Sequence, residues 1–133
     1  MPITGRCHCG AVTWRASEEP QRHSLCHCED CRRWSGAPVV GWAAFDENVV
    51  TIEGETRGYQ SSSAATREFC ARCGTGLFYR SATLLPGILD IQSGTMDDPE
   101  AFPPSAQVMV RHRLGWAREM DKLPAFGSYP GMD

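Results

Sequence analysis

Cys7-His8-Cys9, Cys26-His27-Cys28-Glu29-Asp30-Cys31 and Cys70-Ala71-Arg72-Cys73 hold all seven cysteines of this 133-residue chain. A metal needs several ligands within about 2.3 Å of one point, and C-x-C and C-x-x-C spacings deliver two thiolates from one turn of backbone. Disulfides need no such crowding, and an odd total leaves one cysteine without a partner. Seven divides naturally as four plus three. Closed tetrahedral zinc sites take four protein ligands, whereas catalytic sites take three and keep one position open. The grouping therefore predicts two Zn²⁺ ions per chain with different tasks.

The flanking residues say which cysteines belong together. Gly5 and Gly10 bracket the first pair and Gly74 and Gly76 follow the third, so both read as tight knuckles whose amides turn toward sulfur. Cys7, Cys9, Cys70 and Cys73 are then expected to close a structural zinc site. From Cys28 to Trp34 the chain has no glycine or proline, which places Cys28 and Cys31 at i and i+3 on one face of a short helical turn. Cys26 joins them from the residue before the turn, and a helix N-terminus there lowers the thiol pKa values. His8 and His27 read as solvated spacers, because the cysteines already fill the sites. A redox trio or buried free thiols are the other readings of Cys26, Cys28 and Cys31.

Length suits one domain over residues 1–133, large enough to bury roughly two thirds of its unfolded surface. The opening lacks the pattern of a secretory signal, and no apolar run approaches the roughly 20 residues of a membrane helix. A cytoplasmic, reducing compartment fits cysteines held as metal thiolates. The formal charge of −3 assumes neutral thiols. Seven thiolates and two Zn²⁺ take it to about −6, which argues against general affinity for nucleic acid.

Between the knuckles the sequence reads as short strands. Ala11 to Arg15 alternates, Pro38 to Phe45 is rich in valine and aromatics, and Val49 to Glu53 follows the turn-like Asp46-Glu47-Asn48. Arg67-Glu68-Phe69 leads into the third cysteine pair and Thr75 to Arg80 leaves it, giving a hairpin with a zinc knuckle at its tip. Gly87 to Gln92 and Gln107 to His112 are further candidates. Asp97 to Phe102 fits one helical turn with proline near its start. Ser61 to Ala65 reads as a polar turn. The segment from Leu123 to Asp133 is expected to run as an irregular strap whose Phe126 and Tyr129 pack on the sheet.

Gly5-Arg6-Cys7-His8-Cys9-Gly10, Cys26-His27-Cys28-Glu29-Asp30-Cys31-Arg32-Arg33-Trp34-Ser35-Gly36 and Phe69-Cys70-Ala71-Arg72-Cys73-Gly74 resemble the three signature segments of one family. It is the glutathione-dependent formaldehyde-activating (GFA) family, which also includes centromere protein V. The resemblance covers nearly the whole chain, and the triple motif is far more specific than any single C-x-x-C. It implies an all-β, zinc-stabilised β-tent of small antiparallel sheets with zinc knuckles and a short helical turn. It also implies a structural zinc on Cys7, Cys9, Cys70 and Cys73, and a second zinc on Cys26, Cys28 and Cys31. The founding activity is a carbon–sulfur lyase that interconverts S-hydroxymethylglutathione with glutathione and formaldehyde.

The chemistry follows independently from the donor set. Three thiolates around Zn²⁺ leave a net charge of −1, a weakened Lewis acid poorly suited to making hydroxide near neutral pH. Such a site is better suited to holding a fourth sulfur, which loses its proton and meets an aldehyde carbon held close by. Reversible addition of a small-molecule thiol such as glutathione to an aldehyde is the expected reaction, with Cys26, Cys28 and Cys31 as the open zinc site. Arg32 and Arg33, directly after Cys31, are expected carboxylate clamps for such a thiol, with Trp34 as an apolar wall. Solvated arginines capping the turn are the other reading. His27, Asp30 and His112 are candidate proton carriers by type, and Arg111 and Arg113 are expected to share a face of a strand. Two other classes stay open: a zinc-stabilised protein-binding module without catalysis, and a thiol redox or metal-buffering protein.

Overall fold

Trp14 and Ala16 are buried while Thr13 and Arg15 are exposed, the period-two pattern of a strand with one side on a core. The computed structural model describes residues 2–132. Along it run β1 (Ile3–Arg6), β2 (Thr13–Ala16), β3 (Arg22–Cys26), α1 (Glu29–Ser35), β4 (Val40–Asp46) and β5 (Val50–Glu53). There follow β6 (Thr56–Ser62), β7 (Ala65–Cys70), β8 (Gly76–Arg80), β9 (Ile88–Gln92) and β10 (Ala106–Val108). The fold is mostly β. One sheet is three-stranded, ordered β1-β2-β5, and the other is seven-stranded, ordered β10-β3-β4-β9-β8-β7-β6. All pairings are antiparallel except β10 with β3. Among the described residues no helix is long and apolar enough to cross a membrane.

The core joins the two sheets. Val12, Trp14 and Ala16 pack with Ala43, Phe45, Leu77, Phe78, Leu89 and Ile91 in one buried cluster, and Trp14 meets the Phe45 ring at 5.7 Å and 59°. Because strand side chains alternate, using Ala43, Phe45, Leu89, Ile91 and Phe78 for the core turns their neighbours to the opposite face of the large sheet. Register then lines up a row across five strands: Arg22 opposite Ala44, Ala44 opposite Asp90, Asp90 opposite Tyr79, and Tyr79 opposite Arg67. Cys26 shares that face with Arg22 at the far end of β3.

Several expectations change. The strand expected over residues 107–112 stops at Val108, because Met109 takes the left-handed conformation (φ 55°) and Val110–His112 form a 3₁₀ turn. Arg111 and Arg113 are therefore not on a strand. Phe126 and Tyr129 do not pack on the sheet; they are 58% and 74% exposed. Ser61 and Ser62 belong to β6 and the buried Ala65 opens β7, so the polar turn shortens to Ser63 and Ala64. Strands β1, β3 and β6 and the 3₁₀ segment Gly115–Lys122 were not foreseen.

Candidate metal centres

Two sulfur clusters form, with the expected membership. In each, all sulfur atoms lie within 4.8 Å of one another: Cys7, Cys9, Cys70 and Cys73 in one, Cys26, Cys28 and Cys31 in the other. The first is built by two knuckles. Cys7 and Cys9 lie in the β1–β2 connection, Cys70 ends β7, and Cys73 sits in the turn to β8. Gly10 and Gly74 take φ of +81° and +84°, which only glycine adopts without strain. The turned backbone donates to sulfur: Val12 N–H to Cys7 Sγ at 3.2 Å, Ala11 to Cys9 at 3.4 Å, and Arg72 and Cys73 to Cys70 at 3.3 and 3.4 Å. The Thr75 hydroxyl beside Cys73 helps hold that thiol down at about 5. Four crowded sulfurs fed by amide donors are the donor set of a closed tetrahedral metal site.

The second cluster is assembled by a strand end and a helix start. Cys26 closes β3, Cys28 is the N-cap of α1 with its sulfur accepting from Cys31 N–H at 3.3 Å, and Cys31 lies in the helix. Gly36 in the left-handed conformation ends α1 by donating to Arg32 O. Cys26 and Cys31 are buried and pack with Val40 and Trp42. Trp42 Nε1 donates to Cys31 Sγ at 3.4 Å, and both terminal nitrogens of Arg67 approach the same sulfur at 3.6 and 3.7 Å. Crowding splits the three proton affinities. Cys26, then Cys28, Trp42 and Arg67, bring Cys31 down to about 5, whereas the Cys31 sulfur and burial push Cys26 up and burial raises Cys28. Three thiolates so close need a cation between them, and three crowded sulfurs, those of Cys26 and Cys31 buried and that of Cys28 half-buried, fit one.

A cavity of about 480 Å³ opens beside this trio. Its lining is polar at Arg22, Arg67, Tyr79 and Asp90, beside the cysteines, and apolar at Leu84, Leu85, Val108 and Met109. The guanidinium of Arg67 sits 5.1 Å from the Tyr79 ring centroid, and that ring meets Trp42 edge-on at 6.0 Å. Burial raises the Asp90 carboxyl from 3.8 to about 6, against the pull of Arg22.

Other expected site residues stand elsewhere. Arg33 ion-pairs with Glu29 at 3.0 Å on the exposed side of α1, and Arg32 and Arg33 line a groove with Leu114 and Trp116. Trp34 stacks on Tyr59 at 5.7 Å and lines a third cavity with Phe69 and Gln92. The structure does not bring these three into the trio's cavity. Asp30 does line it. His27 is buried, not a solvated spacer: β10 lies against its strand end, and its Nε2 pairs with Gln107 Oε1 at 2.8 Å. His112 is exposed and accepts from Arg111 Nε at 3.3 Å. Sequence reasoning missed Arg22, Arg67, Tyr79 and Asp90. Their signal was present in polar residues at alternate positions, Arg22-Ser24-Cys26 on β3 and Asp90-Gln92 within an otherwise apolar β9.

Two metal-competent cysteine clusters on a two-sheet β scaffold, one of them at a cavity, define a small thiolate-rich β protein. The chain belongs to the family described as glutathione-dependent formaldehyde-activating enzyme, whose model matches residues 2–112. A Halomonas elongata protein named as a candidate glutathione-dependent formaldehyde-activating enzyme is 28% identical over 98% of this chain and 90% of its own. A Schizosaccharomyces pombe protein named as an uncharacterized lyase is 37% identical over 56% of this chain, and the match spans 55% of the yeast protein. A Rhodobacter sphaeroides protein of known crystal structure shares the fold, with a TM-score of 0.62 and 23% identity over 79% of this chain and 99% of its own.

Proposed function

We propose that the protein is a zinc-dependent carbon–sulfur lyase that forms or cleaves the adduct of a small aldehyde with glutathione or a related thiol, in a cytoplasmic setting. Family membership supports an enzyme of this general kind. The observation that carries the specific chemistry is the unequal surroundings of the two clusters. Cys7, Cys9, Cys70 and Cys73 are four donors in amide-lined knuckles, whereas Cys26, Cys28 and Cys31 are three donors lining a cavity. When bound at the trio, zinc supplies a positive centre with a free position at which a thiol sulfur gives up its proton and stays nucleophilic.

The chain's own groups do the rest. Arg22, on the cavity wall, replaces Arg32 and Arg33 as the guanidinium placed to hold a thiol's carboxylate. The apolar lining of Leu84, Leu85, Val108 and Met109 limits water around the reacting carbon. Asp90, held near 6, carries the proton, directly or through one water. In adduct formation sulfur attacks the carbonyl carbon and the oxygen gains a proton from the Asp90 carboxyl. In cleavage the Asp90 carboxylate takes the hydroxyl proton, the carbon–sulfur bond breaks and its electron pair returns to sulfur.

Exchange NMR on a glutathione and formaldehyde mixture tests the reading. The zinc-loaded protein is expected to accelerate exchange between free and adduct thiol, and Cys31→Ser to abolish that acceleration while leaving far-UV circular dichroism unchanged. Exchange no faster with the zinc-loaded wild type than with buffer sinks the proposal.

A further inference from the structure

Arg67 is a buried cation without a carboxylate. It is 3% exposed, and among the described residues none of the ion pairs includes it. Burying an uncompensated guanidinium is unfavourable, so its counter-charge must come from the groups it touches. Its terminal nitrogens reach Cys31 Sγ at 3.6 and 3.7 Å, its plane lies 5.1 Å from the Tyr79 ring, and its Nε has no partner. The indole N–H of Trp42 meets the same sulfur at 3.4 Å. Three N–H groups thus converge on one sulfur of the trio and on neither of the others. The arrangement is built by register, since β7 places Arg67 opposite Tyr79 and β8 places Tyr79 opposite Asp90.

The charge arithmetic gives this cation a task. Three thiolates on a divalent metal sum to −1, and Arg67 brings the buried set to zero. A fourth anionic sulfur then takes it to −1 instead of −2, in surroundings where each uncompensated charge is strongly disfavoured. Resting on the lyase reading above, we infer that Arg67 is a positioning residue that sets the charge of the Cys26-Cys28-Cys31 site so that it admits a substrate thiol as the anion. The thiol's proton passes to solvent as its sulfur enters. Asp90 on β9, Asp30 on α1, Arg22 on β3 and Tyr79 on β8 share the cavity, and only Arg67 touches a trio sulfur with a full positive charge. Because the metal-loaded trio itself carries −1, the Arg67 guanidinium also strengthens the trio's hold on its own metal.

Cobalt(II) loading separates these effects, because each thiolate bound to cobalt adds charge-transfer absorption. Glutathione added to the cobalt-loaded wild type is expected to produce a new band that saturates. Arg67→Met is expected to lower glutathione affinity about tenfold or more and to raise the pH midpoint of the band by about one unit, with partial recovery in Arg67→Lys. In competition with a chelator, Arg67→Met should release the trio's metal more readily than wild type. An Arg67→Met protein with the wild-type midpoint and affinity overturns the inference. So does a folded Arg67→Met protein that holds the trio's metal against the chelator as tightly as wild type, since removing the compensating cation must weaken a site of net charge −1. Should Arg67→Met not fold or not retain the trio's metal, Arg67→Lys carries the comparison, because its point charge cannot present two N–H groups to one sulfur and its midpoint must still rise. If glutathione leaves the wild-type spectrum unchanged, the lyase reading fails instead, and the chelator comparison still decides whether Arg67 sets the charge of the site.

Discussion

A carboxyl group facing a half-buried cavity keeps its proton because ionisation there costs solvation, and Asp90 does so up to about 6. The sign of the resulting stability change follows by linkage. With the folded value above the unfolded 3.8, the native state binds the extra proton between the two, so stability falls as pH rises from about 4 to about 6 and is flat beyond. The full difference is about 3 kcal/mol, from 1.36 kcal/mol per unit. Asp90→Asn is expected to remove this slope. Denaturant midpoints of the two proteins should agree near pH 4, and the variant should be more stable at pH 7; a constant gap across that range refutes the burial argument. At this scale the clustered cysteines were legible in the sequence because C-x-C and C-x-x-C place partners in one turn of chain. Arg22, Arg67 and Asp90 were not, because they meet the trio only through pairings between strands far apart in sequence, and an isolated polar residue in a strand looks the same whether it faces water or a cavity.

The β7–β8 hairpin shows how one element serves a site. Its tip carries Cys70 and Cys73, its amides point at Cys70 sulfur, and its return strand delivers Leu77 and Phe78 to the core. Cys7 comes from the β1–β2 connection of the other sheet, so the four-cysteine cluster ties the two sheets together. Cys73→Ser is therefore expected to cost on the order of 10 kcal/mol and leave the domain unfolded, by circular dichroism and by rapid proteolysis. Cys31→Ser, which disturbs only a strand end and a seven-residue helix, should keep a cooperative melt. Equal loss from both changes contradicts the division into a structural and a reactive centre. The hairpin was readable because an apolar alternation flanks a C-x-x-C-G knuckle. β3 and β6 were not, since Arg22-His23-Ser24-Leu25-Cys26 has one large aliphatic residue and β6 leaves most of its side chains exposed. Both owe their strand state to neighbours, not to their own pattern.

Over the whole molecule, burial is concentrated before residue 103 and fades after it. The core cluster, both sulfur clusters and the trio's cavity draw on residues up to Met109, and the family model ends at residue 112. Beyond that, Ala117 is buried, while Trp116, Met120, Leu123, Phe126, Tyr129 and Met132 are exposed at 57%, 44%, 60%, 58%, 74% and 71%. Apolar side chains so exposed add little of the roughly 25 cal/mol per Å² that burial supplies. The aromatic content that suggested a strap packed on the sheet was misleading, because the cluster buried between the sheets is made by side chains no later than Phe102. Deleting residues 124–133 is accordingly expected to shift the melting temperature of the metal-loaded protein by less than about 2 °C and to leave both sulfur clusters able to hold metal. Calorimetry alongside a metal count on the truncated protein checks this. A drop of about 5 °C or more would show that the segment shields core surface in solution, and a missing metal would show that it braces one of the cysteine clusters.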